Sequence, residues 1–382
     1  MSNAYELRLY DDTLLTFSLY NEKLKLKAEI MSINESKANL LPFDIDLSGE
    51  SILKWLKKRV IPKSRRFVNE ILEKIGKSPN DVKGIIDVCY GLSLNDSYWV
   101  VPVGFSGKFA NYNLYENRFS EAMALVAYTG AGESDETNTS SPEYTTNGTL
   151  RKAWHYIPND GIYLYKGGSE GEAISGKEPY SEFYACQIAK AMGLNCIEYD
   201  LEYFRGILTS KCKLFTDINT SFVPIGRLIN KPDLQKCSDF YTSLGENFYE
   251  DFCSMLVFDA LICNEDRHYG NFGLLVDSHT RKIVSTAPLF DNGFSLFNFA
   301  LEDDIENLQE YSKSRPNPYD MPYDYICLVI MGEKQKEQLR KLKGFTFTRH
   351  ESINLPEERL KAIENYLQNK VEELLKIPND RD

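Results

Sequence analysis

The chain has 382 residues, 42% of them hydrophobic and 26% charged, which is the composition of a folded globular protein and excludes disordered and collagen-like classes. That length exceeds one typical domain, so two or three substructures are expected. With 44 Lys and Arg against 56 Asp and Glu the net charge is -12, which argues against sequence-independent nucleic-acid binding, and no apolar run approaches the roughly 20 residues of a membrane-spanning helix.

The 8 cysteines form no C-x-x-C pair and only 4 histidines are present, so the thiols are expected to be reduced and structural rather than zinc ligands. The first ten residues have neither the basic nor the apolar region of a secretory signal, and cytoplasmic residence is the expectation.

In chain order, residues 51–76 place Ile52, Leu56, Val60, Phe67, Ile71 and Ile75 near helical spacing, with Pro62 expected to kink or interrupt the helix. The same stretch carries Lys54, Lys57, Lys58, Arg59, Lys63, Arg65 and Arg66 with no acid between them, read as a solvated helix face, with a grip on an anionic partner as the alternative. Residues 98–103 are strand-like and residues 119–128 helical. Residues 129–148 are nearly free of aliphatic side chains and crowded with turn formers, so a mobile loop is expected there. Two β-prone runs follow, residues 150–157 and 162–165, joined by Pro158-Asn159-Asp160-Gly161 as a hairpin. From Glu178 the period is helical until Gly193. Strands resume at residues 196–203 and 207–215. The nearly all-apolar residues 252–263 predict a helix buried on most sides, in which Asp259 is expected to anchor a neighbouring loop, because an unpaired buried charge is costly. A last helix is expected over residues 356–377, with Leu360, Ile363, Leu367, Val371 and Leu374 on one stripe.

The chemistry concentrates after the buried helix, in Asn264-Glu265-Asp266-Arg267-His268-Tyr269-Gly270-Asn271. A carboxylate at Asp266 can orient a hydroxyl nucleophile, and the amide of Asn271 can offer oxygen to Mg2+, which prefers hard oxygen ligands. Asp291, at the end of the apolar stretch beginning at Ala287, is a second metal-ligand candidate. Phosphoryl transfer also needs a cation for the phosphates; Lys166 closes a strand, and Glu182, early in the next helix, can pair with it. Arg267 and His268 are expected to brace the loop. The chain order lysine, glutamate, aspartate, asparagine, aspartate is that of protein kinases.

With SEFYACQIAKAMGL at residues 181–194, LVFDALICNEDRHYGN at residues 256–271 and APLFDNG at residues 287–293, the segment over roughly residues 148–291 resembles the HipA-like serine/threonine kinases, a bacterial branch of the protein-kinase-like fold. The resemblance implies an α+β, bilobal fold with an N-terminal α/β extension over residues 1–125, a strand-rich nucleotide lobe over 126–216 and a helical catalytic lobe over 217–382. It implies Asp266 as the catalytic aspartate, Asn271 and Asp291 as Mg2+ ligands, and Lys166, supported by Glu182, on the ATP phosphates. Lys213 and Phe215 would lie at the adenine hinge. Only Asn147-Gly148-Thr149 stands where the family carries its phosphate loop, so Gly148 and Thr149 are the candidates there, and residues 1–125 match the family less clearly. Phosphorylation of that loop, at Thr145, Thr146 or Thr149, is a further implication.

The reading is an ATP-dependent protein kinase acting on a serine or threonine hydroxyl, possible autophosphorylation included. It carries no direct nucleic-acid or membrane partner, and an antitoxin-type partner follows by resemblance alone. The alternatives are a phosphoinositide-type lipid kinase, disfavoured by the acidic residues 302–320, and a non-catalytic kinase-fold binding module.

Overall fold

A computed structural model of the chain describes residues 3–132, 141–170 and 176–378. The chain forms two compact units, each discontinuous in sequence. The first comprises Met1–Tyr165, Leu214–Val223 and Leu275–Val284; the second comprises Lys166–Lys213, Pro224–Leu274 and Ser285–Asp382.

The first unit opens on a four-stranded antiparallel sheet in the order Lys25–Ile33, Asp12–Glu22, Ala4–Leu9, Tyr98–Pro102. In its register Leu7 faces Leu15 on one side and Val100 on the other. Tyr98, Trp99, Val100 and Val101 are all buried, so that strand is covered on both faces. Trp99 and Val101 pack with Leu92, Leu94, Phe109, Leu114, Phe119 and Ile162 into one apolar cluster.

The periodic residues 51–76 form two separate helices, Gly49–Lys57 and Val68–Glu73. Ser48 caps the first through Oγ, which accepts the Ser51 N–H at 3.1 Å. Between the helices the chain around Pro62 leaves helical geometry, and the backbone donors of Ile61 and Arg66 bond outside this stretch, to Tyr144 O and Thr149 O. The cationic run is therefore only partly a solvated face: Arg59 and Arg65 are each 2% exposed. Arg59 forks onto Asp96, with both contacts at 2.7 Å.

Of the expected loop at residues 129–148, residues 133–140 lie outside the described residues. Ser141, Pro142, Glu143, Tyr144 and Thr145 are buried, with Pro142–Tyr144 in a 3-10 turn. Turn chemistry there builds a packed turn rather than a mobile loop. The expected hairpin is present as Lys152–Ile157 and Gly161–Gly167, with Gly161 at φ 134.

In the second unit, Glu178–Met192 is a helix ended by Gly193, whose φ of 81 gives the left-handed cap that glycine adopts without strain. Tyr199–Phe204 and Ile207–Lys213 pair antiparallel around Gly206, with Leu201 opposite Ser210. Every residue from Phe252 to Ile262 of the helix Glu246–Ile262 is buried. The last helix, Glu357–Leu375, buries Leu360, Ile363, Leu367, Val371 and Leu374, the stripe read from sequence. All 8 cysteines are free thiols and all but Cys196 are buried. Among the described residues no helix is long and apolar enough to cross a membrane.

Candidate active site

The second unit brings three of the sequence-predicted side chains into contact. Lys166 is the penultimate residue of the strand Gly161–Gly167 and is 7% exposed. Its Nζ donates to Glu182 Oε1 and to Asp291 Oδ1. Glu182 lies on the second turn of the helix Glu178–Met192, fully buried, and its Oε2 accepts the Asn292 N–H at 2.8 Å. Burial alone would drive the Lys166 ammonium toward neutrality, but the charges of Asp291 and Glu182 outweigh it and hold the pKa above the ordinary lysine range. The two carboxylates thus favour the charged form of Lys166.

Asp291 is carried into place by a parallel β-bridge between Cys196 and Leu289. Leu289 N–H donates to Asn195 O at 2.8 Å and Ile197 N–H to Leu289 O at 2.9 Å. Two residues later the Asp291 N–H meets the Tyr199 hydroxyl oxygen at 3.2 Å. Asp291 itself has φ 59, a left-handed geometry uncommon outside glycine that is tolerated best by Asp and Asn. Such backbone outliers concentrate at functional sites.

The loop after the helix Glu246–Ile262 is fixed by one arginine. Arg267 is wholly buried and all of its donors are used. Nε reaches Asp259 Oδ2 at 2.9 Å, Nη1 reaches Phe290 O at 2.6 Å and Asn271 O at 3.1 Å, and Nη2 reaches Asp259 Oδ1 at 3.0 Å and Asn292 Oδ1 at 2.5 Å. Asp259 therefore anchors the loop, as its place inside an apolar helix predicts, and Asn264 Nδ2 adds a bond to it at 2.9 Å. The Asp259 charge more than offsets the burial of the guanidinium and raises its pKa. Tyr323 donates to Asn264 O at 2.8 Å and Tyr319 to Arg267 O at 3.2 Å, which closes the far side.

Within this frame Asp266 is half-buried, its N–H held by Asn264 Oδ1 at 3.0 Å. Burial raises its carboxyl pKa above the usual aspartate range; His268 pulls it down, Asp291 pushes it up, and Arg267 and Lys166 pull it down. Asp266 and Asp291 are thus close enough to act on each other through their charges. Asn271 is buried and donates through Nδ2 to Asp266 O at 3.0 Å, which leaves its side-chain oxygen as the acceptor end.

Among the described residues no group of three or more His, Cys, Asp or Glu side chains is placed to hold a metal ion. The Asp291 carboxylate and the Asn271 carbonyl nevertheless fit Mg2+, which is commonly held by one or two protein oxygens with the remaining positions filled by water and substrate phosphate.

The other predicted residues are divided between the two units. Lys213 is the exposed last residue of the strand Ile207–Lys213 in the second unit. Phe215 belongs to the first unit, where its ring meets Phe222 edge-on at 5.5 Å. Gly148 and Thr149 also belong to the first unit and are exposed. Gly148 has φ 95, and a Cβ there would fall 2.1 Å from Lys152 Nζ, so the position is built for glycine. Of the three threonines, Thr149 is exposed. Thr145 donates to Pro142 O at 3.2 Å, and Thr146 donates to the same oxygen at 2.7 Å while accepting from Trp154 Nε1 at 2.9 Å. Sequence reasoning missed Asn292, whose side-chain oxygen accepts from Arg267 and whose backbone N–H donates to Glu182; its place directly after Asp291 was the available signal.

Comparisons with known proteins bear on this arrangement. No protein-family profile matches the chain. A 140-residue stretch is 31% identical to the serine/threonine-protein kinase CtkA of Helicobacter pylori (strain J99 / ATCC 700824), covering 33% of this chain and 42% of that relative. Among solved structures, the HipA, HipB and operator DNA complex of the Shewanella oneidensis MR-1 toxin-antitoxin system includes a chain matched over 98% of this chain and 100% of its own, at TM-score 0.52 and 11% identity. The fold is that of HipA. Beyond the fold, the 140-residue stretch makes the chain similar in sequence to the CtkA kinase. A crystal structure of the H. pylori proinflammatory kinase CtkA also overlaps 58% of this chain and 94% of its own, at TM-score 0.43 and 19% identity. The mixed α+β class expected from sequence is that of the HipA kinase fold over nearly the whole chain. The chain spans under half the length of the curated CtkA relative it matches.

Proposed function

We propose that the protein is an ATP-dependent serine/threonine kinase that transfers the γ-phosphoryl group to a protein hydroxyl. The observation that carries this reading is the Lys166 ammonium, bonded to both Glu182 and Asp291 in the unit where Arg267 fixes Asp266 and Asn271 on one loop.

In the proposed mechanism Lys166 contacts the ATP phosphates and Glu182 fixes its direction. Asp266 orients the acceptor hydroxyl and takes its proton as the oxygen–phosphorus bond forms, while the bond from the γ-phosphorus to the bridging oxygen breaks and ADP leaves with its electron pair. Asn271 and Asp291 would hold Mg2+, which would supply positive charge to offset that of the phosphates. Because little covalent chemistry is asked of the protein, rigid placement of these groups is the catalyst. Arg267 and Asn292 provide it. Gly148 and Thr149 would cover the phosphates, and Lys213 and Phe215 would lie beside adenine; kinship with HipA-like kinases is what supports both assignments.

Radiolabelled ATP with Mg2+ tests the reading directly. The wild-type protein is expected to label itself or a protein acceptor, and Asp266→Asn is expected to abolish labelling while still binding nucleotide. Turnover by Asp266→Asn at the wild-type rate would overturn the assignment. The Shewanella HipA structure contains HipB and operator DNA; an antitoxin-type partner for this chain is a proposal by kinship, and co-purification with the product of an adjacent reading frame tests it.

A further inference from the structure

The cationic stretch before the first unit's second helix contains one arginine with an unusual set of partners. Arg65 is buried, and its guanidinium donates into a second segment 78 to 87 positions along the chain. Nη1 reaches Leu150 O at 2.7 Å, and Nη2 reaches Lys152 O at 2.5 Å with Glu143 Oε2 at 3.4 Å. The flanking backbone repeats the pattern: Ile61 N–H donates to Tyr144 O at 2.7 Å and Arg66 N–H to Thr149 O at 2.9 Å. Glu143 closes the arrangement by accepting the Trp154 N–H at 2.8 Å.

Residues 61–66 thus hold the segment 143–152 at both ends. Between the anchors, the N–H groups of Thr146, Asn147, Gly148 and Thr149 donate no hydrogen bond to any described residue. Consecutive free amides around a positive-φ glycine are the backbone geometry that binds phosphate oxygens, provided the peptide planes stay oriented. A free loop would lose that orientation to conformational entropy. A guanidinium gripping two successive alternate carbonyls fixes the planes on the C-terminal side, which a single-point cation cannot do.

We propose that Arg65 is a positioning residue for nucleotide binding: it clamps residues 150 and 152 so that the amides of residues 146–149, which donate to no described residue, stay ready to receive ATP phosphates. This rests on the kinase reading above and adds to it a role for the N-terminal extension, which braces the phosphate loop. Arg65 touches no substrate atom and acts through the loop.

The experiment compares wild type, Arg65→Lys and Arg65→Ala, each confirmed folded by its thermal transition, in steady-state ATP kinetics and in calorimetric binding of Mg2+ with ATP and of adenosine. For Arg65→Ala the KM for ATP should rise by about tenfold with kcat within about twofold to threefold, and adenosine, which has no phosphate, should bind within about twofold of wild type. Arg65→Lys, able to reach one carbonyl, should fall between. Backbone amides of residues 144–152 should exchange faster with solvent in Arg65→Ala. An unchanged KM in folded Arg65→Ala, or equal weakening of ATP and adenosine, overturns the clamp. If Arg65→Ala does not fold, Arg65→Lys decides by the same ATP-to-adenosine comparison. Wild-type protein that binds no ATP sinks the kinase reading itself, whereas wild-type binding with wild-type loop exchange in the variants sinks only the role of Arg65.

Discussion

Glu182 joins two segments through its two oxygens: Oε2 accepts the Asn292 N–H at 2.8 Å while Oε1 takes the Lys166 ammonium. The two oxygens separate charge from position. Glu182→Gln keeps a carbonyl oxygen for one of these bonds but removes the charge that fixes Lys166, so kcat/KM should fall by about 10- to 100-fold with little loss of stability. Glu182→Ala also strands a buried N–H and should cost a further ~1–3 kcal/mol of stability. Paired kinetics and denaturant titration check both, and identical stability losses in the two variants would contradict the division of labour.

Arg267 and Asp259 are each 0% exposed, so the bond between them cannot be traded for water. Truncating one partner leaves the other buried and charged, which costs about 3–5 kcal/mol, and Arg267→Ala is expected to lose that much in urea unfolding. Arg267→Lys should recover only part of it, because an ammonium cannot serve Asp259, Asn271, Phe290 and Asn292 together. A lysine variant of wild-type stability would show that the fork geometry is dispensable.

Much of this site was legible because its signals are local. The polar run ending the apolar helix, the glycine after Met192 and the Asp-Gly turn before Ile162 each specify backbone within a few residues. Arg65 was not legible: its carbonyl partners lie 85 and 87 positions away, and a cation in a lysine-rich stretch looks solvated until the fold covers it. Glu143 was hidden the same way in a polar run, and Asn292 because its partner Glu182 is 110 positions distant. Long-range polar contacts leave no periodicity, whereas apolar stripes do.

Asp266 must be ionised to accept a proton, and burial raises its pKa, with Asp291 adding to the rise and His268, Arg267 and Lys166 opposing it. The sign follows directly: as pH falls, activity should be lost earlier than for an ordinary solvated aspartate. The acid limb of kcat/KM against pH should therefore lie above the usual aspartate range, and Asp266→Asn should lower kcat by about 10²–10⁴-fold. An acid limb in the ordinary range, in a variant series that shows Asp266 to be the base, would mean that burial does not govern this carboxyl.

Glu143 offers a stability measurement independent of catalysis. It is 1% exposed, and burial raises its carboxyl from 4.5 to about 7, against the pull of Arg65, the Trp154 N–H and Lys152. The folded protein therefore holds this proton more tightly than the unfolded chain does. The contribution is fully present below the unfolded value near 4.5 and is lost as pH rises through about 7. At about 1.4 kcal/mol per pKa unit the gap sets a ceiling of about 3–4 kcal/mol on the change. Other groups titrate in the same interval, so the quantity to measure is the difference between wild type and Glu143→Gln, whose amide does not titrate. Wild type should lose stability relative to Glu143→Gln as pH is raised across that window, read from urea unfolding at matched ionic strength. A difference that stays flat would mean that the Arg65 charge fully compensates the burial of Glu143 and that the pair is ionised throughout.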